Sequence, residues 1–104
     1  MHVAATNHGV PGIMGIAPPA GFEFEAYESS LTKKADMHKT LKDSFANPER
    51  AFMNTSDADM EQSVEPFGNK RSKRAAFLML LSHVHEHLGQ SIAYARPFAY
   101  WSRQ

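Results

Sequence analysis

Residues 72–97 read SKRAAFLMLLSHVHEHLGQSIAYARP and carry the strongest helical signal in the chain. Their apolar positions recur at steps of three and four, which is the spacing of one face of an α-helix. The positions are Phe77, Leu80, Leu81, Val84, Leu88, Ile92 and Ala95. We expect the helix to run from near Ser72 to Arg96 and to end at Pro97, because proline breaks helical hydrogen bonding. At 1.5 Å per residue it would span about 37 Å, the length of a bundle helix.

A second helix is predicted to begin after Thr32, a residue type favoured as an N-cap. Pro48 is expected to kink or break this helix, with a resumption from Ala51 to Thr55, because an interior proline removes a backbone hydrogen bond. The predicted apolar stripe consists of Ala35, His38, Leu41 and Phe45.

The remaining segments contain shorter signals. His2 to Ile16 is rich in alanine and glycine and could form a helix packed closely against its neighbours. Residues 17–30 are a connector without clear periodicity, which aromatic side chains would hold against the core; these are Phe22, Phe24 and Tyr27. Ser56 to Asp59 resembles a helix cap, and Glu65 to Gly68 a loop. With no repeats and no sustained strand alternation, the sequence predicts one all-α domain, residues 1–104, most simply a bundle.

Composition excludes several functional classes. Eleven Lys and Arg balance eleven Asp and Glu, so no charge bias favours nucleic acid or a membrane surface as a partner. Cysteine is absent, which excludes thiolate metal sites and cysteine nucleophiles. No apolar run approaches a membrane span and Met1 to Asn7 lacks a signal-peptide pattern, so we expect a cytoplasmic protein. The basic cluster from Lys70 to Arg74 is interpreted as a solvated loop in preference to a phosphate contact.

The six histidines are the most informative feature of the composition. His83 and His87 lie four residues apart, so they share one helix face and could bind one divalent metal together. His85 lies about 200° away from His83 at 100° per residue and is predicted not to be a ligand. The alternative is an ordinary pair of histidines on a solvated helix surface. A third ligand would come from elsewhere, with His2, His8 and His38 as the candidates.

His83, Glu86 and His87 also match the H-x-x-E-H pattern of inverted zinc proteases, in which the glutamate activates water. Those proteases are much larger than this chain, so the match is interpreted as accidental. Glu86 is therefore only a weak candidate for a general base, and no catalytic residue is assigned.

The sequence HVHEHLGQSIAYAR, from His83 to Arg96, resembles the last bundle helix of the DinB superfamily, whose members carry His-x-x-x-His followed by Gly-Gln. Leu31 to Asp36 resembles the entry to that family's third helix, and Phe67-Gly68 the loop before the fourth. Met1 to Ala5 resembles the start of the second helix, where the family places its first metal histidine. The resemblance therefore implies an incomplete, three-helix, up-and-down DinB-like bundle that lacks the first helix.

The resemblance also implies a histidine triad of His2, His83 and His87 around a divalent cation, with zinc or nickel favoured over iron or manganese. Full-length relatives include thiol S-transferases, so a small-molecule substrate such as a thiol is expected if the chain is active; a hydrolase-like activity is the other possibility. The open apolar face of an incomplete bundle predicts a homodimer, with the connector from Ala17 to Leu31 as a possible hinge for exchange. The alternative is a non-catalytic helical fragment or oligomerisation module with remnant histidines.

Overall fold

A computed structural model describes residues 1–29 and 31–101, and within them the chain is mostly helical, as predicted. The helices are α1 (His2–Ile13), α2 (Phe24–Ser29), α3 (Lys34–Ser44), α4 (Ala46–Met53) and α5 (Lys73–Trp101). Between α4 and α5, two 3-10 turns cover Asp59–Glu61 and Pro66–Gly68. The two-residue strands β1 (Ser63–Val64) and β2 (Arg71–Ser72) pair antiparallel.

Helix α1 is the central element, packed against each of the other four helices. Its alanines allow this, because Ala4 and Ala5 are completely buried and let neighbouring backbones approach closely. At Gly9, an added Cβ would lie 3.2 Å from the Phe24 ring. The close-packed helix predicted for His2 to Ile16 is therefore confirmed, and it ends at Ile13. The apolar core joins it to α5 through Val10, Met14, Ala76 and Leu80.

The predicted break in the second helix is present, but it lies at Phe45 and the helix resumes as α4 from Ala46 to Met53, not from Ala51 to Thr55. Pro48 is the third residue of α4. Proline is tolerated there because the first N–H groups of a helix make no bond within the helix, so none is lost. The break therefore lies three residues before the proline. Thr32 as N-cap was wrong: the cap is Lys33, which makes no side-chain capping bond.

The predicted apolar stripe of α3 was also wrong, because a polar residue contacts α1 in its place. Ser44 is fully buried and its hydroxyl accepts a hydrogen bond of 3.0 Å from Nδ2 of Asn7. Leu41 and Phe45 remain 37% and 42% exposed, and Ala35 and His38 are exposed as well.

Helix α5 differs from its prediction in length and in the face that it buries. It continues through Pro97 to Trp101. The residues around Pro97 are exposed, so the carbonyl that loses its helical partner can be solvated. Leu80 is the one residue of the predicted stripe that is buried. Ala76, which lies outside the stripe, is buried as well. Phe77 and Val84 are half-buried, and the others, Leu81, Leu88, Ile92 and Ala95, are exposed.

The connecting segments agree only partly with expectation. Residues 24–29 form a helix where no periodicity was recognised, while Ser30 lies outside the described residues. The predicted aromatic anchors, Phe22, Phe24 and Tyr27, are half-buried. The predicted capping sequence at Ser56 to Asp59 is confirmed in part: the Ser56 hydroxyl accepts a 3.1 Å hydrogen bond from the Asp59 amide, but the N-cap of the 3-10 turn is Ala58. Among the described residues, no helix combines the length and apolar character needed to cross a membrane.

Candidate metal centre

Three histidines from two helices converge where the start of α1 meets the middle of α5. His83 and His87 lie one turn apart on α5, and His2 is in the first turn of α1. Nε2 of His83 is 3.0 Å from Nε2 of His2 and 3.1 Å from Nε2 of His87. One ring nitrogen from each residue lies within 4.8 Å of the other two. The structure therefore brings together all three histidines of the predicted triad.

This arrangement suits a cation better than it suits hydrogen bonding alone. Nε2 of His83 carries either one hydrogen or one lone pair, so it makes one good hydrogen bond although it has two imidazole neighbours. A cation at the centre would instead receive a lone pair from each ring. With zinc–nitrogen distances of 2.0–2.1 Å and tetrahedral angles, ligand nitrogens lie about 3.3 Å apart. The two pairs that include His83, at 3.0 Å and 3.1 Å, need separate only by a few tenths of an ångström to reach that spacing.

The surroundings of His83 favour its neutral, ligating form. Burial lowers the pKa of His83, and the nearby imidazoles of His87 and His2 lower it further, while the carboxylate of Glu86 acts in the opposite direction. A lowered pKa keeps the imidazole unprotonated to a lower pH. Because only unprotonated imidazole binds a metal, the same environment favours coordination.

His2 is exposed, and two contacts help to position it. The Thr6 hydroxyl donates a 3.0 Å hydrogen bond to the His2 carbonyl within α1. The His2 ring meets the Phe24 ring edge-on, with centroids 6.3 Å apart, and Phe24 in turn lies against Gly9. On the α5 side, Nδ1 of His83 is buried and has no hydrogen-bond partner among the described residues. A metal-bound imidazole usually donates a hydrogen bond through its second ring nitrogen. None of the described residues accepts such a bond from Nδ1 of His83.

A cavity of about 310 Å³ adjoins the triad, with His2 and His87 in its wall. The rest of the wall is mainly apolar: Met1, Val3, Met37 and Leu41, with Ser91 as the polar addition. The Ser91 hydroxyl donates a 2.8 Å hydrogen bond to the His87 carbonyl. A small molecule in this cavity would therefore lie directly beside two of the three imidazoles.

The other histidines have different environments. His85 is exposed, and its Nδ1 donates a 2.9 Å hydrogen bond to the Leu81 carbonyl of its own helix. It lies outside the cluster, as the helix-face argument predicts. His8 is buried, its ring centroid 5.5 Å from those of both Phe22 and Tyr27, and burial lowers its pKa. His38 is exposed on α3.

Two charged features do not contribute to the triad. Glu86 is exposed, and no acidic residue joins the metal-binding group found in the described part of the chain. In the basic cluster from Lys70 to Arg74, Nε of Arg74 lies 2.9 Å from Oε1 of Glu61 in a surface ion pair.

A buried polar network was missed by the sequence analysis. Besides its bond to Ser44, Asn7 accepts a 3.3 Å hydrogen bond at its backbone carbonyl from Nδ2 of Asn47. Nη2 of Arg50 donates to Oδ1 of Asn47 at 2.7 Å. The network attaches α1 to the junction of α3 and α4. Asn7, Ser44 and Asn47 carry no pattern that distinguishes them from surface residues, so no sequence signal could have identified them.

A comparison of this chain with protein-family models, with curated proteins and with solved structures finds no match.

Proposed function

We propose that this chain binds one divalent cation through the imidazoles of His2, His83 and His87. The observation that carries the proposal is the convergence of three ring nitrogens from two separate helices, at distances of 3.0 Å and 3.1 Å. An all-imidazole ligand set suits zinc and nickel, with iron and manganese as the less favoured metals. Three protein ligands would leave a fourth position open, as in catalytic zinc sites.

The adjoining cavity and the sequence resemblance together suggest a small-molecule activity. A bound metal would lower the pKa of a thiol or water in its open position. We propose a DinB-like metalloprotein acting on a small molecule with a mainly apolar body, of which a thiol is the leading candidate and a hydrolysable compound the second. His2 and His87 would hold the metal at the cavity wall, and Met37 and Leu41 would contact the substrate body.

Metal titration tests the first part of the proposal. Protein purified without a polyhistidine tag is titrated with zinc by isothermal calorimetry, and one equivalent is expected to bind. His87→Ala removes a ligand, so its affinity should fall by more than the roughly 10–100-fold typical for loss of a mere supporting residue. Binding should also weaken below about pH 6, because protonated imidazole cannot coordinate.

His38→Ala is the matched control, since it removes an exposed histidine outside the triad. Unchanged zinc affinity in His87→Ala, or an equal loss in His38→Ala, would contradict the site. For the substrate proposal, the cobalt-loaded protein is titrated with small thiols. A thiolate-to-cobalt absorption band that His87→Ala abolishes would support thiol binding, and its absence from the loaded wild type would count against it.

The alternative is a non-catalytic helical module in which the three histidines only pack together. The exposure of residues 88–98 of α5 favours it, since an exposed helix half with an apolar face is typical of an assembly element. In that case zinc would bind weakly, and replacing His83 by glutamine would preserve the fold without changing metal content.

A further inference from the structure

Helix α5 presents two different faces along its length. The face turned toward the rest of the molecule carries Ala76, Leu80, His83 and His87, which are buried or half-buried. At 100° per residue, the apolar residues of the outer face lie about 140° away from these positions. A helix with a second apolar face directed at solvent has an unpartnered surface.

The outer face follows a coiled-coil repeat. Its positions alternate in steps of three and four, which is the spacing of the a and d positions that pair two helices. We name these residues the α5 seam: Leu78, Leu81, His85, Leu88, Ile92 and Ala95. Leu78, Leu81 and Leu88 are 58%, 55% and 56% exposed. His85 introduces one polar position into the seam.

The two halves of the seam lie in different surroundings. Its first half, Leu78 and Leu81, forms one wall of an apolar groove of about 450 Å³. Phe45 and Phe52, from the end of α3 and from α4, form the opposite wall. Its second half lies within residues 88–98, all of which are exposed. The molecule measures 56 Å along its longest axis but only 27 Å and 24 Å across.

We propose that two copies of this chain associate through the α5 seam in antiparallel orientation, so that Leu88, Ile92 and Ala95 of each copy fill the apolar groove of the other. An antiparallel register that aligns every seam position places Leu81 opposite Ile92 of the second copy. In the same register Leu78 meets Ala95 and His85 meets Leu88. A two-fold axis places the second half of α5 from each copy in the groove of the other copy. Both grooves are then filled, so the dimer is closed.

The charge pattern favours a second copy as the occupant. The residues that flank the seam between positions 82 and 91 are Ser82, Val84, Gly89 and Ser91, none of them charged. Two identical helices therefore meet here without like charges opposite each other, which would otherwise oppose self-association. At Gly89 a Cβ would have no neighbour within 4 Å in one copy, so its small size leaves room for a close helix–helix approach.

The available area is also sufficient. Six large apolar residues of the groove and the seam are between 42% and 58% exposed. A fully exposed side chain of this size presents about 200 Å², so at these fractions they present roughly 600 Å² per copy, or about 1,200 Å² in total, which is the lower end of specific interfaces. These residues are Phe45, Phe52, Leu78, Leu81, Leu88 and Ile92.

Sedimentation equilibrium at micromolar concentration tests the dimer, with chelator present so that metal bridging does not contribute. The wild type is expected to be a dimer. Leu88→Glu places a charge in the middle of the seam and should raise the dimer dissociation constant on the order of thirtyfold or more. Because Leu88 is 56% exposed in one copy, the variant should retain its helical circular dichroism. His85→Leu should strengthen the dimer by replacing the polar seam position.

Tyr94→Glu is the matched control, because Tyr94 is on the same helix, is 75% exposed and lies outside the seam. It should leave the dimer intact. A monomeric wild type, or equal loss of the dimer in Leu88→Glu and Tyr94→Glu, would overturn the proposal.

Cysteine cross-linking tests the orientation, since the chain has no native cysteine. The double variant Leu81→Cys with Ile92→Cys should form an intermolecular disulfide on mild oxidation, whereas neither single variant should. The two positions are about 16 Å apart within one helix, too far for an internal disulfide. Cross-linking of both single variants would indicate a parallel pair and overturn the antiparallel arrangement.

Discussion

His83 is the residue on which the candidate metal centre depends most. Its Nε2 is the one within 3.1 Å of both other imidazoles, and its environment lowers its pKa. His8 shares the lowered pKa but not the location, since its ring lies between Phe22 and Tyr27. Identical side chains therefore have two different environments here, one in the histidine triad and one in an aromatic contact.

The lowered pKa of His8 predicts a pH-dependent stability. In the unfolded chain His8 binds a proton near its ordinary pKa of 6.5, whereas in the folded chain it does so only at lower pH. Hence the free energy of unfolding falls as the pH drops below that value and through the folded pKa. His8→Phe removes this contribution, so its melting temperature should fall less than that of the wild type between about pH 7.5 and about pH 5.

This measurement is made by circular dichroism in chelator, because bound metal would add its own pH dependence. His38→Gln is the control, since it removes an exposed histidine from α3. An identical pH dependence in His8→Phe and wild type would show that His8 makes no such contribution.

His85 allows a separate prediction at the residue scale. It is exposed, and its ring contacts the Leu81 carbonyl of its own helix and not the triad. His85→Ala should therefore leave zinc stoichiometry at one and zinc affinity unchanged, as measured by calorimetry. A loss of metal comparable to that in His83→Ala would mean that the helix-face assignment is incorrect.

At the scale of elements, α1 depends on close approach to its neighbours. Gly9 and Gly12 are both in this helix, but an added Cβ would meet Phe24 at 3.2 Å at the first position and only Pro18, at 3.8 Å, at the second. Close packing at Gly9 also affects the metal centre, because Phe24 contacts the His2 ring. The two glycines thus provide a matched pair of sites.

We expect Gly12→Ala to stabilise the protein by up to about 1 kcal/mol, since alanine favours the helix and makes only an ordinary contact there. Gly9→Ala should be less stable than Gly12→Ala, because the Phe24 ring must move to accommodate the methyl group. Urea unfolding of both variants measures the difference. If Gly9→Ala were the more stable of the two, the close contact with Phe24 would be unimportant.

At the scale of the whole molecule, the proposed metal would connect elements that are far apart in sequence. His2 is at the start of the chain and His83 is 81 positions later. A cation bound by both would hold the start of α1 against α5. Binding to the folded state alone stabilises a protein in proportion to the logarithm of ligand concentration.

Zinc should therefore raise the melting temperature, with a stabilisation of about 2.7 kcal/mol at a free zinc concentration one hundred times the dissociation constant. In His2→Ala the two remaining ligands lie on one helix, so zinc should raise the melting temperature much less. Differential scanning fluorimetry across a zinc series measures both effects. An equal shift in the two proteins would show that His2 does not connect α1 to the metal.

Local sequence was sufficient to predict the helical class, the helix of the HxxxH pair and the exclusion of His85 from that pair. These features depend on local periodicity, which is set by the turn of the helix. His2 as third ligand came from the family resemblance, while residue spacing left His2, His8 and His38 as equal candidates. Residue spacing does not identify the third ligand, because the packing of α1 against α5 depends on contacts between segments that are distant in the sequence.

Which face of α5 is buried depends on tertiary packing. The apolar residues of α5 outnumber the positions that one interface can cover, and the stripe predicted from periodicity includes Leu81, Leu88 and Ile92, which are exposed. The small side chain of Ala76 allows α1 to approach α5, and the packing of Ala76 and Leu80 against Val10 and Met14 fixes the inward face instead. The shape of a distant segment made that choice, and it is not encoded in the spacing of residues along one helix.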